Sequence, residues 1–381
     1  MKRLAPADRI LTGSVLLLMA VSLLMVYSAS LSVSEVRYGD PFRIIRHWLF
    51  YVPAGIAIMW WLSRIEVTWW RAIALPLLGV AMLAMVAVLV PGLGKEINGA
   101  QRWFSVFGLT LQPVELLKPT LILYMAYYMA AFPERLHQFS SGLAPMLVML
   151  GIGLALLLLQ PDFGSAALLF GVSVCMWFVG GVPIRHLLGL LATFVPMGII
   201  ALVAEPYRMK RLTSFLDPWS DPFGSGYQLV QSMIGFGSGG LTGSGLGQGV
   251  QKLFYLPEVF TDFIGATLAE ELGLIGTLAL IGLFAVLLGR GIWLALQDDE
   301  PFQRLLVLGC TLAIGITFII NLGAAMGLMP TKGMPMPFVS YGGSALIGNC
   351  VLIGLVLAVQ RHRPENMRRE ARIARQREQQ A

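Results

Sequence analysis

The stretch YLPEVFTDFIGATLAEELG, residues 255–273, decides the fold, because the apolar run LIGTLALIGLFAVLLG, residues 274–289, continues directly out of it. A helix through both segments is long enough to cross a membrane. The first segment nevertheless holds four acids, Glu258, Asp262, Glu270 and Glu271. Charged groups at membrane depth are costly and usually serve a function. The stretch therefore predicts a membrane helix that starts at a functional site.

Composition supports a membrane protein over the whole chain. Of 381 residues, 56% are hydrophobic and only 13% are charged, whereas soluble domains are nearer one quarter charged. The apolar runs are too long for barrel strands and select helices. The first run lacks a cleavage site and is interpreted as a retained span, not a signal peptide. Cys175, Cys310 and Cys350 lie in apolar runs, which is typical of buried hydrophobic residues without disulfide or metal spacing.

The apolar runs predict an all-α integral membrane protein with about ten transmembrane helices in a single polytopic domain, residues 1–381. The predicted spans are residues 10–31, 44–62, 72–91, 112–131, 143–160, 163–180, 187–204, 263–289, 305–328 and 343–360. The distribution of Lys and Arg puts both termini in the cytoplasm. It leaves one large extracytoplasmic loop, residues 205–262, between helices 7 and 8. The basic cytoplasmic tail, residues 362–381, favours contact with anionic membrane lipids over nucleic acid.

The predicted outer segments hold more cations than outer segments usually do. These are Arg37, Arg43, Arg46, Lys95, Arg102, Lys118, Arg208, Lys210, Arg211, Lys252 and Lys332. Three outer segments, residues 92–111, 205–262 and 329–345, are also too rich in Gly and Pro for regular helix. Irregular backbone at membrane level is tolerated where it lines a cavity. We therefore expect one outer cavity that binds an anionic ligand. The Gly-rich residues 238–249 lack the Lys and Ser or Thr of a nucleotide-binding loop and predict tight turns instead.

Asp262 has two interpretations that are compatible with each other. In the first, Thr261 is a cap of the helix that follows, and Asp262 is a second capping residue at the N-terminus of that helix. At the lip of a cavity, the same carboxylate is placed to act as a general base. Glu270 is predicted to share this cavity, and Glu271 points to the opposite side, where it is expected to pair across a helix contact.

The sequence around the other outer cations leaves further alternatives open. Arg102 beside Trp103 suits a pyrophosphate or sugar, and equally an ordinary membrane-interface anchor. Lys118 either neutralises Glu115 three residues earlier or meets a phosphate. Asp162 is either a turn acid or a ligand of Mg²⁺, which needs only one or two carboxylates when substrate phosphates also bind it.

A candidate anion site lies near the C-terminal end of the chain. Lys332 is followed by Ser340, Gly342 and Gly343, which stand where the last predicted helix begins. The unpaired amides of a helix N-terminus favour anions. Arg208 lies in the large loop, where aromatic residues are interleaved with charges. This pattern fits an ordinary solvated surface and, equally well, a surface that binds lipid phosphate or a partner.

Several motifs together resemble the SEDS family (shape, elongation, division and sporulation). They are VYSAS (26–30), NGAQRW (98–103), QPVELLK (112–118), QPDFG (160–164), AEPYR (204–208) with DPWSDPFGSGYQL (217–229), LPEVFTDFIGATLAEELG (256–273) and PTKGMPMPFVSYGGS (330–344). The resemblance extends from about Ala7 to Arg361, and residues 204–229 are more similar to division members than to elongation members. One departure is Phe260 and Gly265, where many members have His and Phe.

The resemblance implies a ten-helix peptidoglycan glycosyltransferase that polymerises lipid II at the outer face of the cytoplasmic (inner) membrane, at the division septum. It implies that Asp262 is the catalytic carboxylate of an inverting single displacement. Arg102, Lys118, Arg208 and Lys332 become candidate contacts of the undecaprenyl pyrophosphate leaving group.

The resemblance also implies partners, namely a class B penicillin-binding transpeptidase and other divisome proteins. A divalent cation, Mg²⁺ or Mn²⁺, is a possible cofactor, and no organic cofactor is expected. A lipid II flippase and a non-catalytic division scaffold are the alternative functions.

Overall fold

The computed structural model describes residues 5–97, 99–106, 109–203, 206–253, 255–331 and 333–363. These residues form twelve α-helices and one small sheet. The helices are α1 Arg9–Tyr38, α2 Arg43–Leu62, α3 Val67–Ala87, α4 Val114–Ala131, α5 Ala144–Leu159, α6 Phe163–Val179, α7 Ile184–Val203, α8 Pro206–Leu216, α9 Tyr227–Ser238, α10 Ile264–Leu296, α11 Pro301–Ala325 and α12 Gly343–His362. Each predicted span falls on one of them.

The helices are those of a multi-pass membrane protein. Six of them are long and apolar enough to cross a membrane, namely Arg9–Tyr38, Val67–Ala87, Phe139–Leu159, Ile264–Leu296, Pro301–Ala325 and Gly343–His362. Phe163–Val179 and Ile184–Ile200 are shorter apolar helices. The segment Phe139–Leu159 is α5 together with a preceding turn of π-helix, Phe139–Leu143. Long apolar helices follow from the sequence because every backbone polar group must be satisfied within the segment when no water is present.

The predicted helical fold class is confirmed, but a three-stranded antiparallel sheet that the sequence did not predict lies between α3 and α4. Its strands are β1 Gly94–Ile97, β2 Ala100–Val106 and β3 Leu109–Leu111, in the order β1-β2-β3. The strands hold three to seven residues, so they are too short to leave a periodic signal in so Gly-rich a segment. The sheet places Arg102 and Trp103 on its central strand.

Helices α11 and α12 form the centre of the bundle. Both are buried over most of their length. Helix α11 packs against α4, α6, α10 and α12, and α12 also packs against α2. The Phe284 ring of α10 stacks on the Phe318 ring of α11 with 3.8 Å between ring centroids. Because the irregular segment before α12 starts where α11 ends, the two most buried helices position that segment.

Helix α10 is broken at Gly273, where φ is 67° and ψ is −163°. Only glycine adopts this backbone conformation without strain. The break separates a short piece, residues 264–272, from the long apolar remainder of the helix. The predicted large loop also contains two helices, α8 and α9, which its Gly and Pro content did not indicate. The Gly-rich residues that follow α9 pack into the break of α10, where the Leu274 amide donates to the Gly240 carbonyl oxygen.

The two described ends of the chain lie together at one end of the bundle. The Ala5 amide donates to the Arg361 carbonyl oxygen over 3.2 Å, and Arg361 Nε donates to the Ala5 carbonyl oxygen over 3.0 Å. Arg290 forms an ion pair of 2.6 Å with Asp8, and Arg363 lies 3.2 Å from Asp298. The first and last described residues therefore lie on the same side of the bundle.

Asp298 predicts a pH dependence of stability at this end. Burial raises its pKa to about 6, against the lowering influence of Arg363. The folded state thus prefers the protonated carboxyl, and this stabilisation is complete near pH 4 and lost as the pH rises through 6. A difference of about two pKa units corresponds to roughly 2–3 kcal/mol. We expect the unfolding temperature of the wild type, measured in detergent, to rise relative to Asp298→Asn as the pH falls from 7.5 to 5. Parallel pH profiles of the two proteins would contradict this prediction.

Candidate active site

Asp262 lies immediately before the broken helix, and two neighbouring elements hold its backbone. Asn321 Nδ2 on α11 donates to the Asp262 carbonyl oxygen over 3.0 Å and to the Met334 carbonyl oxygen over 2.7 Å. The Tyr341 amide donates to the Phe260 carbonyl oxygen over 2.9 Å, and the two rings meet edge to face. One buried amide group thus joins the Asp262 segment to the irregular segment before α12. The Asp262 side chain itself is only partly buried.

Thr261 does not cap the helix as the sequence suggested. The N-cap residue of α10 is Phe263, and the Thr261 hydroxyl donates to the Glu258 carbonyl and carboxylate oxygens. Glu258 itself has a positive φ of 55°. Because the helix starts only after residue 263, the Asp262 carboxylate is carried on irregular backbone at its entrance.

A small polar cavity lies next to Asp262, on the other side of Gly333. A β-carbon placed on Gly333 would lie 3.2 Å from Asp262 Oδ2, so the carboxylate rests directly on this glycine. Gly333 also lines a cavity of about 30 Å³. The cavity is lined by Gln112, Glu115, Lys118, Asp162, Ser165, Leu168, Thr317, Gly333, Met334, Pro335, Ala345 and Asn349. A space of this size holds about two water molecules. The structure thus brings Lys118 and Asp162 together on the wall of a cavity whose Gly333 contacts Asp262.

Lys118 and Glu115 form a buried ion pair on the first turns of α4. Lys118 Nζ lies 2.6 Å from Glu115 Oε2, at a spacing of three residues. The predicted local neutralisation is confirmed, and Lys118 also lines the cavity. A buried cation on a cavity wall keeps a strong interaction with an anion, because water screens it little.

Arg102 is bound to the turn that carries Asp162. Its Nε donates to the Gln160 carbonyl oxygen over 2.6 Å, and its Nη2 donates to the Pro161 carbonyl oxygen over 2.5 Å. Arg102 Nη1 lies 4.0 Å from Asp162 Oδ1. Asp162 caps α6, where its carboxylate accepts from the Ser165 amide and hydroxyl over 3.1 and 2.8 Å. The predicted turn acid is therefore present, and Arg102 connects the central strand of the sheet to it.

Protein groups pack closely around the start of α12, where the anion site was predicted. The Ser340 hydroxyl accepts from the Met336 amide over 2.8 Å, and the Tyr51 ring covers Gly343 so closely that no β-carbon would fit there. Gly342 lies against Pro335, which lines the cavity. Helix α12 does begin at Gly343, as expected.

Glu270 is not brought to the cavity, which corrects the expectation that it shares a site with Asp262. Its carboxylate accepts from the Val250 amide over 2.8 Å and from the Gln251 amide over 3.2 Å. The predicted angle between the two acids assumed one continuous helix, whereas Asp262 lies outside α10. Glu271 contacts Ser28 on α1, so its expected role across a helix contact is confirmed.

The other three predicted site residues are Trp103, Arg208 and Lys332. Trp103 is half-buried on β2, opposite Lys95 in the sheet. Arg208 belongs to α8, but its side chain is outside the described part of the structure. Lys332 lies outside the described residues altogether.

Sequence reasoning missed Asn321, which joins the two segments of the site, and Asn349, which lines the cavity. Both are single polar residues inside apolar runs. Such residues usually face the bundle interior and find partners there. Their isolation in the sequence was therefore a usable signal.

The fold and the site define a polytopic helical membrane protein with a polar site where irregular backbone meets two central helices. A family model described as cell cycle protein, for FtsW, RodA and SpoVE, matches residues 8–365. The chain belongs to this family, for which SEDS is another name.

Curated relatives are similar over most of their length. A probable peptidoglycan glycosyltransferase FtsW of Coxiella burnetii is 43% identical over 346 residues, which cover 90% of this chain and 93% of the relative. A probable peptidoglycan glycosyltransferase FtsW of Geobacter metallireducens is 42% identical over 350 residues, covering 91% of this chain and 93% of the relative.

Solved structures show the same fold. A chain from a peptidoglycan synthase complex, described for its structural coordination of polymerization and crosslinking, matches with a TM-score of 0.77 and 33% identity over 94% of this chain and 98% of that one. The rod shape determining protein RodA of Thermus thermophilus matches with a TM-score of 0.70 and 29% identity, covering 94% of this chain and 98% of RodA.

Proposed function

We propose that the chain is a peptidoglycan glycosyltransferase that polymerises lipid II into glycan strands during septal cell-wall synthesis. Relatives about 40% identical over nine tenths of the chain bear the name of this activity. The observation that carries the proposal for this chain is the Asp262 carboxylate, which lies against Gly333 beside a cavity lined by Lys118. A base beside a cation is what the transfer of a sugar from a pyrophosphate requires.

In the proposed reaction, Asp262 removes the proton from the 4-hydroxyl of the acceptor GlcNAc. The hydroxyl oxygen forms a bond to the anomeric carbon of the donor, and the bond from that carbon to undecaprenyl pyrophosphate breaks. The pyrophosphate leaves with the electron pair, and the α-linked donor becomes a β-linked product. One displacement inverts the anomeric centre, so one base suffices and no covalent glycosyl-enzyme forms.

Lys118 is the best-supported candidate for contact with the pyrophosphate, because it is buried on the cavity wall. Arg102 donates to the carbonyl oxygens of Gln160 and Pro161, and we assign it to holding the turn that carries Asp162. Arg208 and Lys332 remain sequence-based candidates for the same ligand.

Asp162 fits a divalent cation only together with substrate phosphates. It is the second carboxylate on the cavity wall beside Glu115, and the described residues contain no group of three His, Cys, Asp or Glu that would bind a metal alone. Mg²⁺ is commonly held by one or two carboxylates and phosphate oxygens. A bound Mg²⁺ or Mn²⁺ would neutralise charge on the leaving group. Loss of polymerisation in a chelator, restored by Mg²⁺ or Mn²⁺, tests this proposal.

We further propose that α1–α7 and α10–α12 are ten spans of a single membrane domain with both termini in the cytoplasm. Helices α8 and α9 then belong to the extracytoplasmic segment of residues 205–262, and Asp262 lies at the outer face of the inner membrane. The proximity of Ala5 and Arg361 supports termini on one side. The similarity to a chain of a peptidoglycan synthase complex supports a class B penicillin-binding transpeptidase and other divisome proteins as partners.

The deciding experiment supplies lipid II directly to the purified chain, with and without the partner transpeptidase, and measures glycan chain length. Polymerisation is the expected result. The flippase and scaffold alternatives predict no glycan product. Scrambling of lipid II in proteoliposomes, without polymerisation, would favour the flippase and overturn the proposal.

A further inference from the structure

We propose that the buried ion pair between Lys252 and Glu271, joined by Ser28, positions Asp262 for catalysis by holding the short outer piece of α10. This inference rests on the proposed function, because it assigns a task to residues around the same base. The three residues lie on three different elements. Lys252 lies in the Gly-rich segment, which we define as residues 239–252, Glu271 lies on α10 and Ser28 lies on α1.

The break at Gly273 makes the outer piece of α10 a separate body. It holds residues 264–272, about two and a half turns of helix, and begins two residues after Asp262. The placement of Asp262 therefore depends on what fixes this short piece, in addition to the hydrogen bond from Asn321 to its carbonyl oxygen.

The Gly-rich segment, residues 239–252, fills the break and satisfies the backbone groups that it frees. The amides of Leu274 and Ile275 donate to the carbonyl oxygens of Gly240 and Leu241 over 2.9 and 3.1 Å. On the other side of the break, the amides of Ser244 and Gly245 donate to the carbonyl oxygens of Glu270 and Glu271 over 2.9 and 3.1 Å. The inner end of the short piece is thus joined to this segment by main-chain bonds.

Two neighbouring carboxylates then fix the rotation of the short piece about its axis. Side chains at consecutive helix positions point about 100° apart. Glu270 receives the amides of Val250 and Gln251 on one side. Glu271 receives the Gly247 amide over 3.0 Å on the other. The Gly-rich segment therefore wraps around the helix, and a rotation of the piece would break bonds on both sides.

Lys252 completes this arrangement. Its Nζ donates to Glu271 Oε1 over 2.7 Å and to Ser28 Oγ over 2.8 Å. The Ser28 hydroxyl in turn lies 2.7 and 2.8 Å from the two Glu271 oxygens. Glu271 is 0% exposed and Lys252 is 6% exposed. A buried charge that loses its partner is strongly unfavourable, so removal of the Lys252 charge should displace Glu271 toward water and release the piece.

The sequence placed Lys252 among the surplus outer cations, and this proposal gives it a task other than ligand binding. Its charge is neutralised by Glu271, which lies about 11 Å along the helix from Ile264, the first residue of α10. Lys252 is thus a positioning residue. It acts on the reaction only through the orientation of the short piece.

The test compares Lys252→Met with Lys252→Arg in purified full-length protein, by glycan polymerisation at varied lipid II. We expect Lys252→Met to lower kcat about tenfold while KM changes less than twofold, and Lys252→Arg to recover at least one third of kcat. Ser28→Ala, which removes only the bridging hydroxyl, should lower kcat about threefold. The exposed Gln248 lies in the same segment, and Gln248→Met should leave kcat and KM unchanged.

All variants are compared at a temperature well below their own unfolding midpoint, after isolation of the monodisperse fraction. If Lys252→Met gives no folded protein, the kcat of Ser28→Ala becomes the test of the proposal. Wild-type kcat in a folded variant, or a rise in KM alone, would overturn the proposal. Asp262→Asn, assayed in parallel, distinguishes the proposed function from the positioning role of Lys252. Activity of Asp262→Asn would overturn the assignment of Asp262 as the general base. An inactive Asp262→Asn together with a fully active Lys252→Met would overturn only the positioning role.

Discussion

Asp262→Asn is expected to abolish glycan polymerisation while the protein remains folded. Asparagine has nearly the same shape, keeps the main-chain carbonyl that Asn321 binds, and fits against Gly333 as the carboxylate does. It cannot accept the proton of the acceptor hydroxyl. General bases contribute about 10²–10⁴-fold to rates, so we expect a loss of that size in kcat.

The matched control is Glu258→Gln, which neutralises another carboxylate in the same segment. Glu258 is exposed and its carboxylate accepts from the Thr261 hydroxyl. We expect this variant to retain most of the wild-type rate and a similar unfolding temperature. Chain length should be measured by gel electrophoresis of labelled glycan. Asp262→Asn protein that keeps more than about one tenth of the wild-type rate would be inconsistent with a base at this position.

The sequence predicted the helices well because their signal is local. A run of some twenty apolar residues must satisfy its own backbone, and each predicted span accordingly falls on a helix. The sheet, α8 and α9 lie in segments that have no such apolar run, so their backbone is not required to satisfy its own hydrogen bonds locally. There the structure depends on contacts with residues far away in the sequence, such as the docking of Gln112 and Thr110 onto Ser344.

The same distinction applies to the site. Lys118 and Asp162 are placed by the starts of their own helices, so their common position at one end of the bundle could be predicted. The location of Glu270 could not, because its partners come from the Gly-rich segment. Nothing in the composition of that segment shows that it enters a break in α10. Lys252 could not be assigned to Glu271 for the same reason.

Gly243→Ala is expected to destabilise the protein strongly, because the Gly-rich segment and the broken helix leave no space for a methyl group there. Gly243 has φ of +83°, and a β-carbon on it would collide with the Glu271 carbonyl oxygen and lie 2.6 Å from the Leu272 amide nitrogen. The backbone conformation alone costs alanine about 1–2 kcal/mol. The collision is with main chain, which cannot yield by a rotamer change. A total loss above about 4 kcal/mol is expected.

Substitutions at two other glycines separate the cost of the positive φ from the cost of the collision with the main chain. Gly247 has φ of +80° but open space around it, so Gly247→Ala should show only the conformational cost of about 1–2 kcal/mol. Gly237 lies within α9 with open space and no positive φ, so Gly237→Ala should be neutral or stabilising by up to about 1 kcal/mol. Thermal unfolding in detergent measures the order of stability of the three variants. A Gly243→Ala protein as stable as Gly247→Ala would mean that the Gly-rich segment does not enter the break of α10. Polymerisation by the wild type would then not depend on the contact between Gly243 and the broken helix. If the order holds and Gly243→Ala also loses polymerisation below its unfolding temperature, the segment is required for the arrangement of Asp262 as well as for the fold.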